Sequence, residues 1–460
     1  MHTSSARDGT STLEPSFASN TSRETLPRRL GFWSTTAVVI GVIIGSGIFR
    51  VPGVVADDVG SVAGVAAVWS LGGVITLCGA LTIAELAAAF PVPGGLFVYL
   101  NEIYGPRTAF VFGWTNLFLQ PAATAGIALV FAEYLGVLVP LSGLGIRLVA
   151  SGVIALVAAA GHRSVRGAGT LVALGTLGKI AALVALVLAA LALGNINVGA
   201  FGNGRPASTQ WMGLGVGLVA ALFAYSGIPD SVAIAGEVRN PGHVLPRALL
   251  AGIGVVIAVY LLVNAAYLYV LPYATMRASP LVASAMAIRV VGPVGASLVA
   301  GAVMVSTFGT LNALVLTGPR VFYAMASDGL LFAQLARVHP RFSTPHVAIA
   351  VYAIVALACV WARSFEQLAE AFVLGMWPFM ALAAAGVLVL RRTRPSLPRP
   401  YRTPGYPVVP IVFIAATVLV VGSALVAHPS TTFASIGLML LGVPVNWIRE
   451  RFGARPMKIR

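Results

Sequence analysis

The sequence predicts an all-α integral membrane protein of twelve transmembrane helices. Ten of them fall into two five-helix units of opposite orientation, and helices 1 and 6 are discontinuous. Three observations lead there. The 460 residues are 58% apolar and only 9% charged, with a mean hydropathy of +0.91, whereas soluble domains carry about 25% charged residues. Twelve apolar stretches are long enough for a bilayer that takes ~20 residues per helix. The first and the sixth of these are each interrupted by residues with little or no side chain.

The stretches lie near 32–54, 62–90, 108–138, 142–160, 168–192, 210–237, 247–271, 292–325, 346–362, 367–390, 408–427 and 431–447. The first is broken at Gly45-Ser46-Gly47. The second stops at Pro91-Val92-Pro93-Gly94-Gly95, after which Leu96 to Tyr104 is amphipathic enough to lie along the inner membrane surface. The sixth is broken at Tyr225-Ser226-Gly227 and restarts at Pro229-Asp230. Proline suits a first helical turn, and that turn's free N–H groups favour a carboxylate. Asn240-Pro241-Gly242 ends the sixth stretch, and Arg399-Pro400 through Pro407 separates the tenth from the eleventh. Five spans separate the two breaks, and an odd number turns the second unit upside down relative to the first. The predicted organisation is therefore a disordered tail (1–30), a first repeat (31–192), a second repeat (210–391), two appended helices (405–447) and a short C-terminal tail (448–460).

The net charge of +15 is distributed as a membrane protein requires. Only Arg205, Arg277, Arg289 and Arg363 fall in outer loops, and Arg50, Arg147 and Lys179 fall within spans. The remaining Lys and Arg crowd the inner loops and both tails, which places both termini in the cytoplasm of a plasma (inner) membrane protein. This distribution excludes nucleic acid as the reason for the charge. The Ser/Thr-rich first thirty residues lack the apolar core of a signal peptide. The two cysteines, Cys78 and Cys359, are expected to be buried free thiols. The six histidines are scattered along the chain, with no zinc-type pair, Gly-x-Ser-x-Gly or phosphate-binding loop. The sequence therefore predicts no metal, no cofactor and no enzyme. A channel or receptor has no need of two breaks in inverted positions.

A bilayer tolerates a broken helix only where the freed backbone meets protein, water or a ligand. Gly45, Ser46 and Gly47 in one break, with Ser226 and Gly227 in the other, leave peptide groups open to a small zwitterion. N–H groups would hold its carboxylate and C=O groups its ammonium. Lys179 sits mid-span, roughly 16 Å from either surface at 1.5 Å per residue, and must face protein or water. Asp230 either caps the restarting half-helix or meets a cationic side chain. Asn116 and Gln120, four apart on span 3, either line the pocket or join helices. Ser306, Thr307 and Thr310 lie on span 8; Glu85 and Glu237, toward the cytoplasmic ends of spans 2 and 6, are read as solvated or structural against gating pairs with arginine, and Glu133, near the outer end of span 3, as reaching water.

Several motifs carry a family resemblance: Ile44-Gly45-Ser46-Gly47-Ile48-Phe49 with Pro52, Ala84-Glu85-Leu86, Pro93-Gly94-Gly95, Phe131-Ala132-Glu133-Tyr134, Glu237-Val238-Arg239-Asn240-Pro241 and Asn264-Ala265-Ala266-Tyr267. In this order, over roughly residues 32 to 405, the chain resembles the amino acid–polyamine–organocation superfamily, and its L-type amino acid transporter branch most. The resemblance implies the leucine-transporter-like fold and a substrate site in its breaks. The amides of Ser46 and Gly47 would take a carboxylate; the carbonyls of Ile43, Phe223 and Ser226 would take an ammonium. The Phe223 ring would act as a gate. Lys179 would replace a sodium ion, its ammonium on carbonyls near Gly41–Ile44 and on polar groups near Ser306. Residues 138–146 lack the cysteine through which animal members join an accessory glycoprotein, so no disulfide-linked subunit is expected. Ile228 and Pro229 replace the usual aromatic and polar pair after the second break. The expectation is a sodium-independent exchanger of neutral amino acids, against a proton-coupled or exchange carrier of cationic amino acids or polyamines.

Overall fold

A computed structural model describes residues 30–92, 94–163, 168–194, 207–327, 329–342 and 344–452. The predicted N-terminal tail and Arg205 lie outside the described residues. In chain order the helices are α1 (Phe32–Ile43), α2 (Gly47–Val59), α3 (Val62–Ala89), α4 (Leu96–Tyr104), α5 (Pro106–Leu138), α6 (Gly143–Arg163), α7 (Ala168–Leu193), α8 (Ala207–Ala224) and α9 (Ile228–Ala233). They continue as α10 (Pro241–Val270), α11 (Tyr273–Ala278), α12 (Val282–Val291), α13 (Pro293–Ser327), α14 (His346–Ala362), α15 (Phe365–Thr393), α16 (Val408–Ala427) and α17 (Pro429–Phe452).

Among the described residues nine helices are long and apolar enough to cross a membrane, and ten if the α1–α2 pair, bent by 45°, is one span. The chain is a multi-pass membrane protein. Helix lies at each of the twelve expected stretches, but α14 and the described part of α7 are shorter apolar helices. The structure also places α11 and α12 in the connection between α10 and α13, where the sequence reading has only a loop. α12 buries Val282, Ala283, Met286 and Ala287, a spacing of three to four that a search for long apolar runs passes over. α17 continues to Phe452, so the tail starts later than residue 448.

Local chemistry sets the ends. Ser364 and Gln367 form a reciprocal capping box at the start of α15, satisfying two of the amides that a helix leaves free. Ser61 accepts from the Gly64 amide at the start of α3. α4 buries Leu96, Tyr99 and Leu100 and leaves Asn101 and Glu102 exposed.

Two apolar cores organise the rest. The larger joins α1, α2, α3, α8, α9 and α10 with α15 and α16, and also takes in α4, α7, α12 and parts of α5 and α13. The smaller joins the middle of α5 to α6, α13 and α14. The broken helices thus belong to one packed group and lie against another. Before α1, Leu30 forms a short parallel bridge to Val238, just past the second break.

Both cysteines are free, as expected, but half-buried rather than buried.

Candidate substrate site

The two breaks meet backbone to backbone. A Cβ on Gly47 would lie 2.6 Å from Ala224 Cα, and one on Gly227 would lie 2.8 Å from Ile43 Cγ1. Gly227 also holds φ at +140°, a conformation open to glycine alone at little cost. Ser46 and Gly47 open α2, and their amides have no hydrogen-bond partner among the described residues. They form a helix N-terminus suited to an anion. Ser46 Oγ, Asn116 Oδ1 and Ser306 Oγ are likewise buried without a partner.

The carbonyl side is occupied from within. Ile43 O accepts from the Gly45 amide at 2.8 Å and from the Tyr260 hydroxyl at 3.1 Å. Phe223 O accepts from Ser226 N at 3.1 Å and Ser226 Oγ at 2.6 Å. An ammonium arriving here must replace Tyr260 or the Ser226 hydroxyl. Tyr260, on α10, also reaches Ala224 O at 3.0 Å and so ties one break to the other. Sequence reasoning missed it. A tyrosine in an apolar span needs a partner for its hydroxyl, but the partner was two helices away.

Lys179 Nζ donates to Gly41 O at 3.2 Å, Ile44 O at 3.0 Å and Thr310 Oγ1 at 3.0 Å. Three oxygens from α1 and α13 therefore surround one buried positive charge carried on α7. The contact from α13 is Thr310, one of the three polar residues, with Ser306 and Thr307, that the sequence reading names on that helix.

Asp230 accepts from Gln120 Nε2 at 3.5 Å and makes no side-chain bond to a backbone amide among the described residues. Gln120 O accepts from the Tyr352 hydroxyl at 3.1 Å and from Thr124 Oγ1 at 3.1 Å, and Thr124 and Tyr352 are themselves 2.6 Å apart. A polar chain thus runs from α9 through α5 to α14. Asn116, one turn before Gln120, stays outside it.

Above the breaks the Phe223 ring meets Phe365 at 5.6 Å and Phe372 at 6.0 Å. Arg50 lies over Phe365, 5.3 Å from the ring centre. It donates from Nε to Glu133 at 3.0 Å and from Nη2 to Glu366. Glu133 is paired rather than reaching water freely, because Arg50 would otherwise be an uncompensated charge among apolar groups. The signal for this was legible: an arginine inside an apolar stretch demands carboxylates at the same depth. Beyond this clasp lies a vestibule of about 420 Å³ that includes Asp57, Asp58, Arg277, Glu370 and His428.

At the other end of the molecule, Glu85 accepts from Arg391 Nε at 3.0 Å, Arg391 Nη2 at 2.8 Å and the Thr403 amide at 2.7 Å, with Arg399 Nε at 3.5 Å. It is buried and paired rather than solvated. The Glu237 carbonyl accepts from Leu30 N at 3.0 Å, and no ion pair to its carboxylate is present among the described residues.

Three histidines that look scattered in sequence meet in space. His162, His339 and His346 have ring centres 5.0, 5.5 and 6.1 Å apart. They do not form a metal-holding group among the described residues.

Residues 30–444 match the sequence profile of the amino acid permease family. The chain is 34% identical over 431 residues to the serine/threonine exchanger SteT of Bacillus subtilis (strain 168), covering 92% of this chain and 97% of that protein. It is 30% identical over 430 residues to the human b(0,+)-type amino acid transporter 1, covering 90% and 86%. It is 31% identical over 462 residues to the human large neutral amino acids transporter small subunit 2, covering 97% and 85%. With this match running through both breaks and the lysine between them, the chain belongs to the amino acid permease family of the amino acid–polyamine–organocation superfamily.

Proposed function

We propose that this chain is a plasma-membrane carrier that exchanges neutral amino acids without sodium, by alternating access. The observation that carries the reading is Lys179, whose ammonium takes three oxygen ligands beside the first break, as a bound cation would. A covalently attached charge leaves no need for a sodium ion there. The substrate's carboxylate is assigned to the amides of Ser46 and Gly47, and its ammonium to the carbonyls of Ile43, Phe223 and Ser226. Phe223 closes over it. Twelve spans in two inverted repeats of five, with both termini in the cytoplasm, are part of the same proposal. The helices that carry the breaks, with α3 and α10, rock against α5, α6, α13 and α14, and differential binding energy drives the change. The names of the relatives agree on amino acids and differ in which. The absence of cysteine from 138–146 favours a chain that works without a disulfide-linked partner.

One observation favours a second reading. Asp230 is a carboxylate within a broken span whose contact is an amide, not a cation. Such a group calls for a proton or a cationic ligand. Cationic amino acids, polyamines or proton coupling are the alternative.

The deciding experiment is exchange in liposomes holding the purified chain. Labelled neutral or cationic amino acids are followed inward, with and without internal substrate, sodium or a pH gradient. Neutral substrates entering only against internal substrate, and indifferent to both ions, is the expected result. Accumulation into empty vesicles on an inward proton gradient would replace exchange with symport. Lys179→Ala is expected to lower the exchange rate more than tenfold, and full activity would remove the sodium-replacement role.

A further inference from the structure

An unassigned cavity lies on the outer face of the helix bundle, away from both breaks. α5, α15 and α17 enclose a groove of about 550 Å³ with apolar walls that include Val111, Leu382, Met439 and Val443. At its cytoplasmic end, under the proposed orientation, the lining turns polar through Arg107, Asn446, Trp447 and Glu450. An apolar trough with a polar cap at interface depth has the form of an amphiphile site. Trp447 at the rim suits the level of lipid headgroups.

The polar end specifies more than charge. Arg107 donates from Nε to Glu450 Oε1 at 3.2 Å and from Nη2 to Glu450 Oε2 at 3.1 Å. Its Nη1 edge remains for an anionic oxygen. Glu450 Oε1 also accepts from Asn446 Nδ2 at 3.0 Å. Asn446 is 4% exposed, and its Oδ1 is buried without a partner. A buried acceptor left this way costs free energy until a donor reaches it. The pair Arg107–Glu450 is a local dipole with no net charge, so its complement is a ligand carrying both signs.

We propose that the groove binds a zwitterionic aminophospholipid, its phosphodiester on Arg107 and its primary ammonium on Glu450 and Asn446. The acyl chain fills the apolar trough. A trimethylated headgroup keeps both charges but has no N–H to give Asn446, so it should bind less well. An anionic headgroup has no ammonium for Glu450. Arg451 lies over the Trp447 ring, 5.0 Å from its centre, and Arg449 over the Phe110 ring at 4.7 Å; these two cations would favour an anionic lipid, and the phosphatidylglycerol arm of the test weighs them. The site shares the proposed orientation but not the substrate or coupling of the transport reading.

The test uses the full chain in detergent, offered phosphatidylethanolamine, phosphatidylcholine or phosphatidylglycerol with the same acyl chains. Retained lipid is counted by native mass spectrometry and the melting temperature is read in parallel. Phosphatidylethanolamine should be retained at least fivefold over the other two and raise the melting temperature most. Glu450→Gln should abolish its advantage over phosphatidylcholine. Val443→Phe, which fills the trough and leaves every charge in place, should lower retention of all three. Equal retention of ethanolamine and choline lipids by the unaltered chain would overturn the proposal. So would preference for phosphatidylglycerol, or a Glu450→Gln chain with undiminished selectivity.

Discussion

Tyr260 has one hydroxyl proton and two backbone carbonyls within reach, Ile43 O at 3.1 Å and Ala224 O at 3.0 Å. It can satisfy only one of them fully at a time, so one break always retains acceptor capacity. That is the condition an ammonium needs if it is to be held and then released. Tyr260→Phe removes the shared donor at almost constant volume. It should cost about 1–3 kcal/mol of stability, read by thermal melting, and should raise the substrate concentration for half-maximal exchange. Unchanged melting and exchange would mean the hydroxyl is incidental. His339 gives a pH-dependent counterpart in the connection between α13 and α14. Its Nδ1 accepts from the amides of Arg341 at 3.2 Å and Phe342 at 3.4 Å, a role open only to a ring without a proton there. Loss of water around the ring, then the nearby His162, His346 and Arg341, hold its pKa below the ordinary histidine value. The folded turn therefore binds fewer protons than the unfolded one. Its contribution to stability is present above a pH of about 6.5 and is lost as pH falls below it. Hydrogen exchange across residues 329–342, corrected for intrinsic rate, should rise between pH 7 and pH 5. His339→Asn should flatten that rise.

Among the elements, α15 carries an ionic anchor at each end. Near its start Glu366 meets Arg50 of α2, and near its finish Arg391 meets Glu85 of α3. α15 also supplies Phe365 and Phe372, the rings against Phe223. The element that covers the site is thus pinned to the broken-helix group at both ends. Arg50→Gln leaves Glu133 partly buried without its cation, which should cost about 2 kcal/mol once the half-exposed Glu366 is discounted. A cysteine placed at Val219, which lines the vestibule, should then react several times faster with a membrane-impermeant thiol reagent. An unchanged rate would remove Arg50 from the outer closure. Glu85→Gln breaks a more deeply buried pair and should cost about 3 kcal/mol, with no acceleration at Val219. The uneven legibility of the sequence also belongs to this scale. The breaks at Gly45-Ser46-Gly47 and Ser226-Gly227 were visible because serine flanked by glycine, and in the second case followed by Pro229, interrupts the apolar run, whereas single glycines elsewhere serve close helix packing. α12 was not, because a ten-residue amphipathic helix resembles a polar loop until its packing partner is known. Arg50, Glu133 and Glu366 were each visible as charges, yet their meeting depends on how three helices lie side by side.

Across the whole molecule the larger apolar core holds the breaks and the smaller one faces it, with α5 and α13 contributing to both. The polar chain from Asp230 through Gln120 to Tyr352 crosses that division, and so does the clasp from Arg50 to Glu133. Apolar surfaces can slide at small cost, whereas these bonds have discrete made and unmade states, so they set the resting position of one group against the other. Composition and hydropathy sufficed for the membrane class and for where its long apolar helices lie. The identity of the crossing contacts was not legible, since Tyr352 is an ordinary member of an apolar face until the helices are packed. The bond between the breaks has a further consequence for how the chain is made. Ile43 leaves the ribosome more than two hundred residues before Tyr260, the donor that bridges its carbonyl to the second break. The Lys179 ammonium meets α1 long before Thr310 exists to complete its three oxygens. A nascent chain that has inserted only α1 to α7 therefore holds bare peptide groups and an under-coordinated charge within the bilayer. That half-made state is where a membrane chaperone or a quality-control protease would find its target, and where a stop in synthesis would be least forgiven.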